Sequence, residues 1–383
     1  FTSVGWDVEL LGVMPTPTVA WLVPHRNLPM GVMISASHNP AQDNGIKFFG
    51  PKGTKLDDAT EARIEEVMLA KSWHRPSGTA VGRISRHQRD AWEPYIDFLL
   101  ATDLPEFRPM KLAVDLANGA MFELAPAVFT CLELNVSYLY RHPDGQNINA
   151  NCGSTNLEPL KHFVREHEFD LGLAFDGDGD RCLAVGPDGQ EIDGDRMMYL
   201  CSRYLPHLKD EKAVVATVMS NLGLEQALAG CGRELIRTAV GDRYVLEAMQ
   251  AGGNLLGGEQ SGHLIFAKYQ ITGDGLLTAL QLLHAIQRSG KPLSELLTEV
   301  PQYPQLLKNV VVKPQWQRGW VEHEGLQAAI SAAEVELAGS GRLLVRASGT
   351  EPKLRVMAEG KDMDQVQNVV DRLVKLIKTE MGT

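Results

Sequence analysis

Three carboxylates occupy alternate positions in Asp176-Gly-Asp-Gly-Asp-Arg181. Negative charge packed that densely is costly without a cation, so the spacing predicts a divalent metal site. In an extended segment alternate side chains project to one side, so Asp176, Asp178 and Asp180 converge while Gly177 and Gly179 let the backbone curl inward. Ligands that are all oxygen favour a hard ion, Mg2+ first. The rival readings are a solvated acidic turn and an EF-hand loop. The EF-hand fails on spacing, because its required glycine falls on Arg181 and its required glutamate on Pro187.

Three further segments carry chemistry. In Ile34-Ser-Ala-Ser-His-Asn-Pro40, Ser37 is a candidate nucleophilic or phosphate-carrying hydroxyl, with His38 and Lys47 as cationic or proton-transferring partners. The plain alternative there is turn and capping chemistry, Asn39 before Pro40 being a good helix N-cap. No Gly-x-Ser-x-Gly elbow surrounds the serine, which disfavours an α/β-hydrolase. Arg346-Ala-Ser-Gly-Thr-Glu-Pro-Lys-Leu-Arg355 lies between two strands and gathers two guanidiniums, two hydroxyls and the amide of Gly349, where a plain Ser-Gly-Thr hairpin would explain the turn residues but not the arginines. That set (Arg346, Ser348, Gly349, Thr350, Arg355) suits a phosphate dianion. Gly257-Gly-Glu-Gln-Ser-Gly-His263 lacks the signatures of a P-loop and of a dinucleotide fold, so nucleotide binding is unsupported. Its Glu259, Ser261 and His263 alternate and can present acceptors and donors to a polyol, or form an ordinary Gly-rich loop.

Apolar strands alternating with amphipathic helices position these loops, the signature of α/β layers. Strands are predicted at 111–116, 135–140, 169–175, 182–186, 213–217 and 234–238, and helices at 121–132, 222–229, 243–251 and 275–288. Prolines 301 and 304 mark a connection. Beyond it a small α+β module is expected, with strands 309–313, 342–346 and 354–359, a helix 321–337, and a terminal helix whose apolar stripe runs from Val366 to Ile377. The domain reading is 1–89 with the serine loop, 90–188 with the aspartates, 189–304 with the Gly-rich loop and 305–383 with the arginine loop.

Composition narrows the function classes. The 383 residues are 44% apolar, enough for several cores, and carry a net charge of −11. That charge argues against a nucleic-acid partner or a polybasic membrane anchor, so an anionic substrate must be held by a local cationic cluster. Five cysteines without a Cys-x-x-Cys suit reduced thiols and a cytoplasmic location. No apolar run approaches a membrane span, and the sequence opens on Phe1 rather than Met, as expected of a chain that begins inside a longer protein.

Taken together, the four loops in this order resemble the α-D-phosphohexomutase superfamily, from about Met14-Pro-Thr-Pro17 to the terminal helix. Ser37-His-Asn-Pro40 looks like its phosphoserine loop, Asp176–Arg181 its metal loop, Gly258–His263 its sugar-binding loop and Arg346–Thr350 its phosphate-binding loop. The wording, including Thr217-Val-Met-Ser-Asn-Leu-Gly-Leu-Glu225 and Gln260, is closest to the bacterial branch acting on glucosamine phosphate. The branch acting on mannose and glucose phosphates is the alternative. A phosphohydrolase and a non-catalytic sugar-phosphate-binding protein are the rivals from other classes.

The resemblance implies three related α/β domains with mixed sheets and a C-terminal α+β domain of the TATA-binding-protein type. It implies a cytoplasmic isomerase that interconverts glucosamine 6-phosphate and glucosamine 1-phosphate through a 1,6-bisphosphate, feeding peptidoglycan precursors. Ser37 would carry the phosphoryl group and complete the Mg2+ shell of Asp176, Asp178 and Asp180, with Arg181 adding positive charge. Lys47, His38 and His263 are the proton-transfer candidates, in that order. Glu259, Ser261, Gly241 and Asp242 would contact the sugar and the Arg346 loop its phosphate, with a homodimer as the expected assembly and a hinge at 301–308. The family's opening strand and Gly-Thr-Asp-Gly-x-Arg loop have no counterpart in this sequence, so the first domain is expected to expose apolar surface.

Overall fold

The computed structural model describes residues 1–70, 75–348 and 351–382. The chain packs as two compact units, Phe1–Met219 with Gly232–Leu297, and Ser220–Cys231 with Thr298–Thr383.

In the first unit, strands β1 (Val8–Leu10) and β4 (Ile84–Arg86) pair in parallel, and β2 (Gly31–Ile34) and β3 (Ile46–Phe49) form an antiparallel hairpin. The helix Thr16–His25 lays Val19, Ala20 and Val23 against Phe49, with Met33 at the edge of that cluster. Residues 36–45 form turns and no helix, so Asn39 is not an N-cap; its amide donates to Asp43 at 2.9 Å. Apolar surface is exposed here as expected. A groove of about 1740 Å3 is lined by residues that include Leu10, Leu11, Val13 and Ile34, and Ile34 is 72% exposed.

The next five strands make one mixed sheet in the order β6-β5-β7-β8-β9: β5 (Lys111–Asp115), β6 (Asn135–Leu139), β7 (Leu171–Phe175), β8 (Cys182–Val185) and β9 (Glu191–Ile192). β6, β5 and β7 run parallel, β8 pairs antiparallel with β7, and β9 pairs antiparallel with β8. β7 is buried at every residue, the pattern of a strand covered on both faces. A second mixed sheet repeats the plan in the order β11-β10-β12-β13, with β10 (Ala213–Thr217), β11 (Glu234–Thr238) and β12 (Leu256–Gly258) parallel and β13 (Leu264–Phe266) antiparallel.

The second unit holds an antiparallel sheet, β14 (Gln305–Val311), β16 (Lys353–Gly360) and β15 (Gly341–Ala347), in the order β14-β16-β15. Helices Glu324–Leu337 and Met363–Met381 pack on it through Leu326, Ala333, Val366, Val369, Leu373 and Ile377. The stripe predicted for the terminal helix is therefore its buried face. Two boundaries differ most from expectation. β14 begins directly after Pro304 and pairs along its length with β16, so 305–308, expected to belong to the connection, is strand. The helix predicted from 321 starts at Glu324, because the His323 ring accepts the Leu326 N–H as an N-cap. The helix Leu222–Gly230 belongs to this unit, where buried Glu359 accepts from Leu222 N at 3.1 Å and Asn221 Nδ2 at 3.1 Å.

Every candidate loop has the same setting. The serine loop joins β2 to β3, the aspartate loop β7 to β8, the Gly-rich loop β12 to β13 and the arginine loop β15 to β16, each an antiparallel hairpin.

Candidate active site

The aspartate hairpin starts where Phe175 pairs with Cys182. Asp176, Asp178 and Asp180 are buried, and one oxygen of each lies within 4.8 Å of the others, so the three can hold a metal ion. Gly177 permits this turn by close approach: a Cβ there would lie 2.7 Å from Ser37 O. Gly179 adopts φ +71°, which side chains resist. Burial, then the charges of Asp180 and Asp178, push the Asp176 carboxyl far above the usual carboxylate range. Asp178 Oδ1 is buried with no hydrogen-bond partner among the described residues. Crowded carboxylates and an orphan oxygen both fit a hard cation.

Ser37 reaches this cluster directly, its Oγ donating to Asp176 Oδ2 at 2.8 Å. Ser37 has φ +55°, a left-handed conformation that costs a non-glycine residue ~1–2 kcal/mol. Ser35 Oγ helps to hold it by accepting Ser37 N–H at 2.9 Å. His38 Nδ1 lies 3.4 Å from Ser37 Oγ, and burial followed by the nearby Arg181 lowers its pKa, so its neutral form is favoured.

Lys47 on β3 donates to Asp178 at 2.6 Å and Asp180 at 3.2 Å. Burial opposes its charge, but the two carboxylates outweigh it and raise its pKa. Arg181 places its backbone N–H 3.1 Å from Asp176 Oδ1 and its Nε 3.8 Å from Asp180. His263 is buried with Nδ1 3.6 Å from Asp180, and Nε2 accepts Gly273 N–H at 3.1 Å and lies 3.6 Å from Asp242. That acceptor role belongs to the neutral ring with its proton on Nδ1. Although burial disfavours its cation, Asp180, Asp242 and Glu259 raise the His263 pKa.

The Gly-rich hairpin carries Glu259, whose Oε1 accepts Gly241 N–H at 3.1 Å and whose Oε2 lies 3.4 Å from Ser261 Oγ. Asp242 opens the helix Asp242–Gly252 and pairs with Lys55 at 2.7 Å. Ser37, Lys47, the aspartates, His263, Asp242 and Glu259 thus form one connected constellation in the first unit. The Gln260 amide donates instead to Asp193 at 3.2 Å.

In the second unit Arg346 and Arg355 face each other across β15 and β16. Like charges directly opposite in a ladder are destabilising, so this pair is suited to an anion. Burial and the neighbouring Arg355 lower the Arg346 pKa. Ser348 is buried, and its Oγ has no hydrogen-bond partner among the described residues. Gly349 and Thr350 lie outside the described residues.

Two residues at the site were not singled out from sequence. Thr16, at the start of a helix, donates from Oγ1 to Asp178 Oδ2 at 2.5 Å and from its backbone to Asp178 O at 2.9 Å. Asn149 contacts the serine loop from 112 positions away. Its loop is tied down by buried Asp115, which accepts Ala117 N–H and Gly153 N–H, both at 2.8 Å. Burial raises the Asp115 pKa from 3.8 to about 6. Between those values the folded protein keeps a proton that the unfolded chain has lost, so this group makes stability fall as pH rises from about 4 to 6. Relative to Asp115→Asn, wild type should lose about 3 kcal/mol over that window, at ~1.4 kcal/mol per pH unit. Urea melts of both proteins across that range check it; a constant difference would contradict it.

Models of the phosphoglucomutase/phosphomannomutase family match the chain in four consecutive pieces: α/β/α domains I at 1–75, II at 93–189 and III at 193–303, and the C-terminal domain at 307–376. A phosphoglucomutase/phosphomannomutase family protein from Burkholderia thailandensis shares the fold, with TM-score 0.82, 22% identity and coverage of 99% of this chain and 84% of that one. So does Aspergillus fumigatus N-acetylphosphoglucosamine mutase, solved with GlcNAc-6P and magnesium, at TM-score 0.72 and 19% identity, covering 99% and 97%. The phosphoglucosamine mutase of Bacillus subtilis (strain 168) is 48% identical over 99% of this chain and 85% of its own length. The chain belongs to the phosphoglucosamine mutase family. That of Pelotomaculum thermopropionicum is 49% identical over 98% of this chain and 85% of its own length. Membership in the phosphoglucosamine mutase family makes the chain a four-domain phosphohexomutase, an isomerase that transfers phosphate intramolecularly. The family is metal-dependent, and the aspartate hairpin is where this chain can hold its ion. No helix among the described residues is long and apolar enough to cross a membrane.

Proposed function

We propose that the chain interconverts glucosamine 6-phosphate and glucosamine 1-phosphate, with Ser37 as the phosphoryl carrier. The observation that carries this reading is the Ser37 hydroxyl seated 2.8 Å from Asp176 within three buried carboxylates. The amino-sugar substrate follows from the phosphoglucosamine mutases that match nearly the whole chain.

The resting protein carries a phosphoryl group on Ser37 Oγ. The sugar's O1 attacks phosphorus in line, the bond to Ser37 Oγ breaks, and a 1,6-bisphosphate forms. After reorientation its 6-phosphoryl group passes back to Ser37, and glucosamine 1-phosphate leaves. Asp176, Asp178 and Asp180 would hold Mg2+, which supplies neutralisation of charge building on the transferring oxygens. Arg181 adds a second positive charge at the same hairpin.

His38, held neutral, is suited to take a proton from the attacking hydroxyl. Lys47, whose charged form the aspartates favour, is suited to hold positive charge at the leaving oxygen, and His263 is the remaining candidate to deliver a proton there. Glu259, Ser261, Gly241 and Asp242 orient sugar hydroxyls. The phosphate that does not react is assigned to Arg346, Ser348, Gly349, Thr350 and Arg355. The protein is further proposed to act in the cytoplasm as a homodimer.

A coupled assay of glucosamine 6-phosphate against mannose and glucose phosphates tests the substrate. A preference for the amino sugar is expected, and equal turnover of all three would overturn it. Arg346→Ala should raise KM about 10- to 100-fold, since a hydrogen bond to a charged group contributes ~1.5–3 kcal/mol. An unaltered KM would remove the arginine hairpin from substrate binding.

A further inference from the structure

We propose that Asn149 is a positioning residue that fixes Ser37 over the aspartate hairpin throughout the reaction. The inference rests on the reading of Ser37 as the phosphoryl carrier. One side-chain amide supplies both tethers, Asn149 Nδ2 donating to Ser37 O and to Asn39 O at 2.9 Å each. With two carbonyls as neighbours, only the NH2 end of the amide can face them. The backbone of Asn149 belongs to the aspartate-bearing domain, because its N–H donates to Ala117 O at 2.9 Å. Asn149 sits at φ +57°, a left-handed position that asparagine tolerates. Gly177 closes the assembly: a Cβ there would meet Asn149 Nδ2 and Ser37 O, both at 2.7 Å. Metal-loop backbone, asparagine amide and serine carbonyl are therefore in mutual contact.

The chemistry explains why such a tether is needed. The direct bond from Ser37 Oγ to Asp176 uses the hydroxyl hydrogen. Phosphorylation of Ser37 removes that hydrogen, so the bond exists only in the dephosphorylated state. The Asn149 bonds go to main-chain oxygens and survive in both states. Asn149 thus holds the carrier in one register while its own oxygen alternates between free and phosphorylated.

The test uses two variants that tolerate the left-handed backbone. Asn149→Asp sets an acceptor against the two carbonyls, and Asn149→Gly deletes the side chain. Both should lower kcat about 100-fold, the scale of an ångström misplacement, with KM for the sugar phosphate within about twofold. A role in folding alone would also lower kcat, so two readouts refer only to folded molecules. Glucosamine 1,6-bisphosphate released per product should rise at least ~10-fold, because a displaced serine recaptures it poorly. The change that Mg2+ produces in the 31P resonance of the phosphoserine should shrink in both variants. Wild-type bisphosphate release and 31P response in either folded variant would overturn the positioning role, even if total activity fell. If Ser37→Ala turned over normally, the reading of Ser37 would fail first and the proposal with it.

Discussion

Ser37→Ala is expected to lower kcat by at least ~10^4-fold, the scale seen when a covalent nucleophile is removed from machinery that acts as a unit. Added glucose 1,6-bisphosphate should not restore turnover, because no hydroxyl remains to receive its phosphoryl group. The fold should persist. The substitution removes one hydrogen bond to Asp176, a contribution of ~1 kcal/mol, and leaves the left-handed strain at residue 37 in place. A coupled assay, a thermal melt and the intact mass of the same preparation separate these effects. Full turnover in a well-folded Ser37→Ala protein would show that the phosphoryl group is carried elsewhere.

Removal of the divalent ion should be comparably severe, with kcat falling at least ~10^3-fold on rigorous chelation and returning with Mg2+. Its pH dependence has a definite sign. Burial and its two neighbours raise the Asp176 pKa, so at lower pH this carboxyl carries a proton that ion binding must expel. Metal affinity should therefore increase with pH through the range in which Asp176 titrates and then level off. Asp178→Asn removes one proposed ligand and should weaken Mg2+ binding at least ~100-fold, measured by calorimetry. Affinity independent of pH, or unchanged in Asp178→Asn, would place the ion elsewhere.

Much of this was legible in sequence because the signals were local. Charge crowding within 176–181 and the two guanidiniums in 346–355 are expensive patterns without an ion or a phosphate, and both loops join two strands as read. Strand 213–217 was legible because Ala213-Val-Val-Ala216 is an apolar run of strand length. The start of β14 was not, since strand formation there depends on a partner some fifty residues later, Gln305 pairing with Glu359. Thr16 and Asn149 escaped for the same reason. A threonine beside prolines and an asparagine in a turn-rich loop have ordinary local roles, and only tertiary structure aims one at Asp178 and the other at the serine loop. Gln260 carries the opposite lesson: a residue within a candidate loop can brace a helix cap, here that of Asp193.

The central claim is that Ser37 is the phosphoryl carrier beside an ion held by Asp176, Asp178 and Asp180. Incubating the chain with bisphosphate labelled in its transferable phosphoryl group, with and without Mg2+, and mapping the label by peptide mass spectrometry tests it most directly. Stoichiometric, Mg2+-dependent label on Ser37 that chases into glucosamine 1-phosphate when glucosamine 6-phosphate is added is the predicted result. Label on another residue, or turnover with no labelled Ser37, would contradict it.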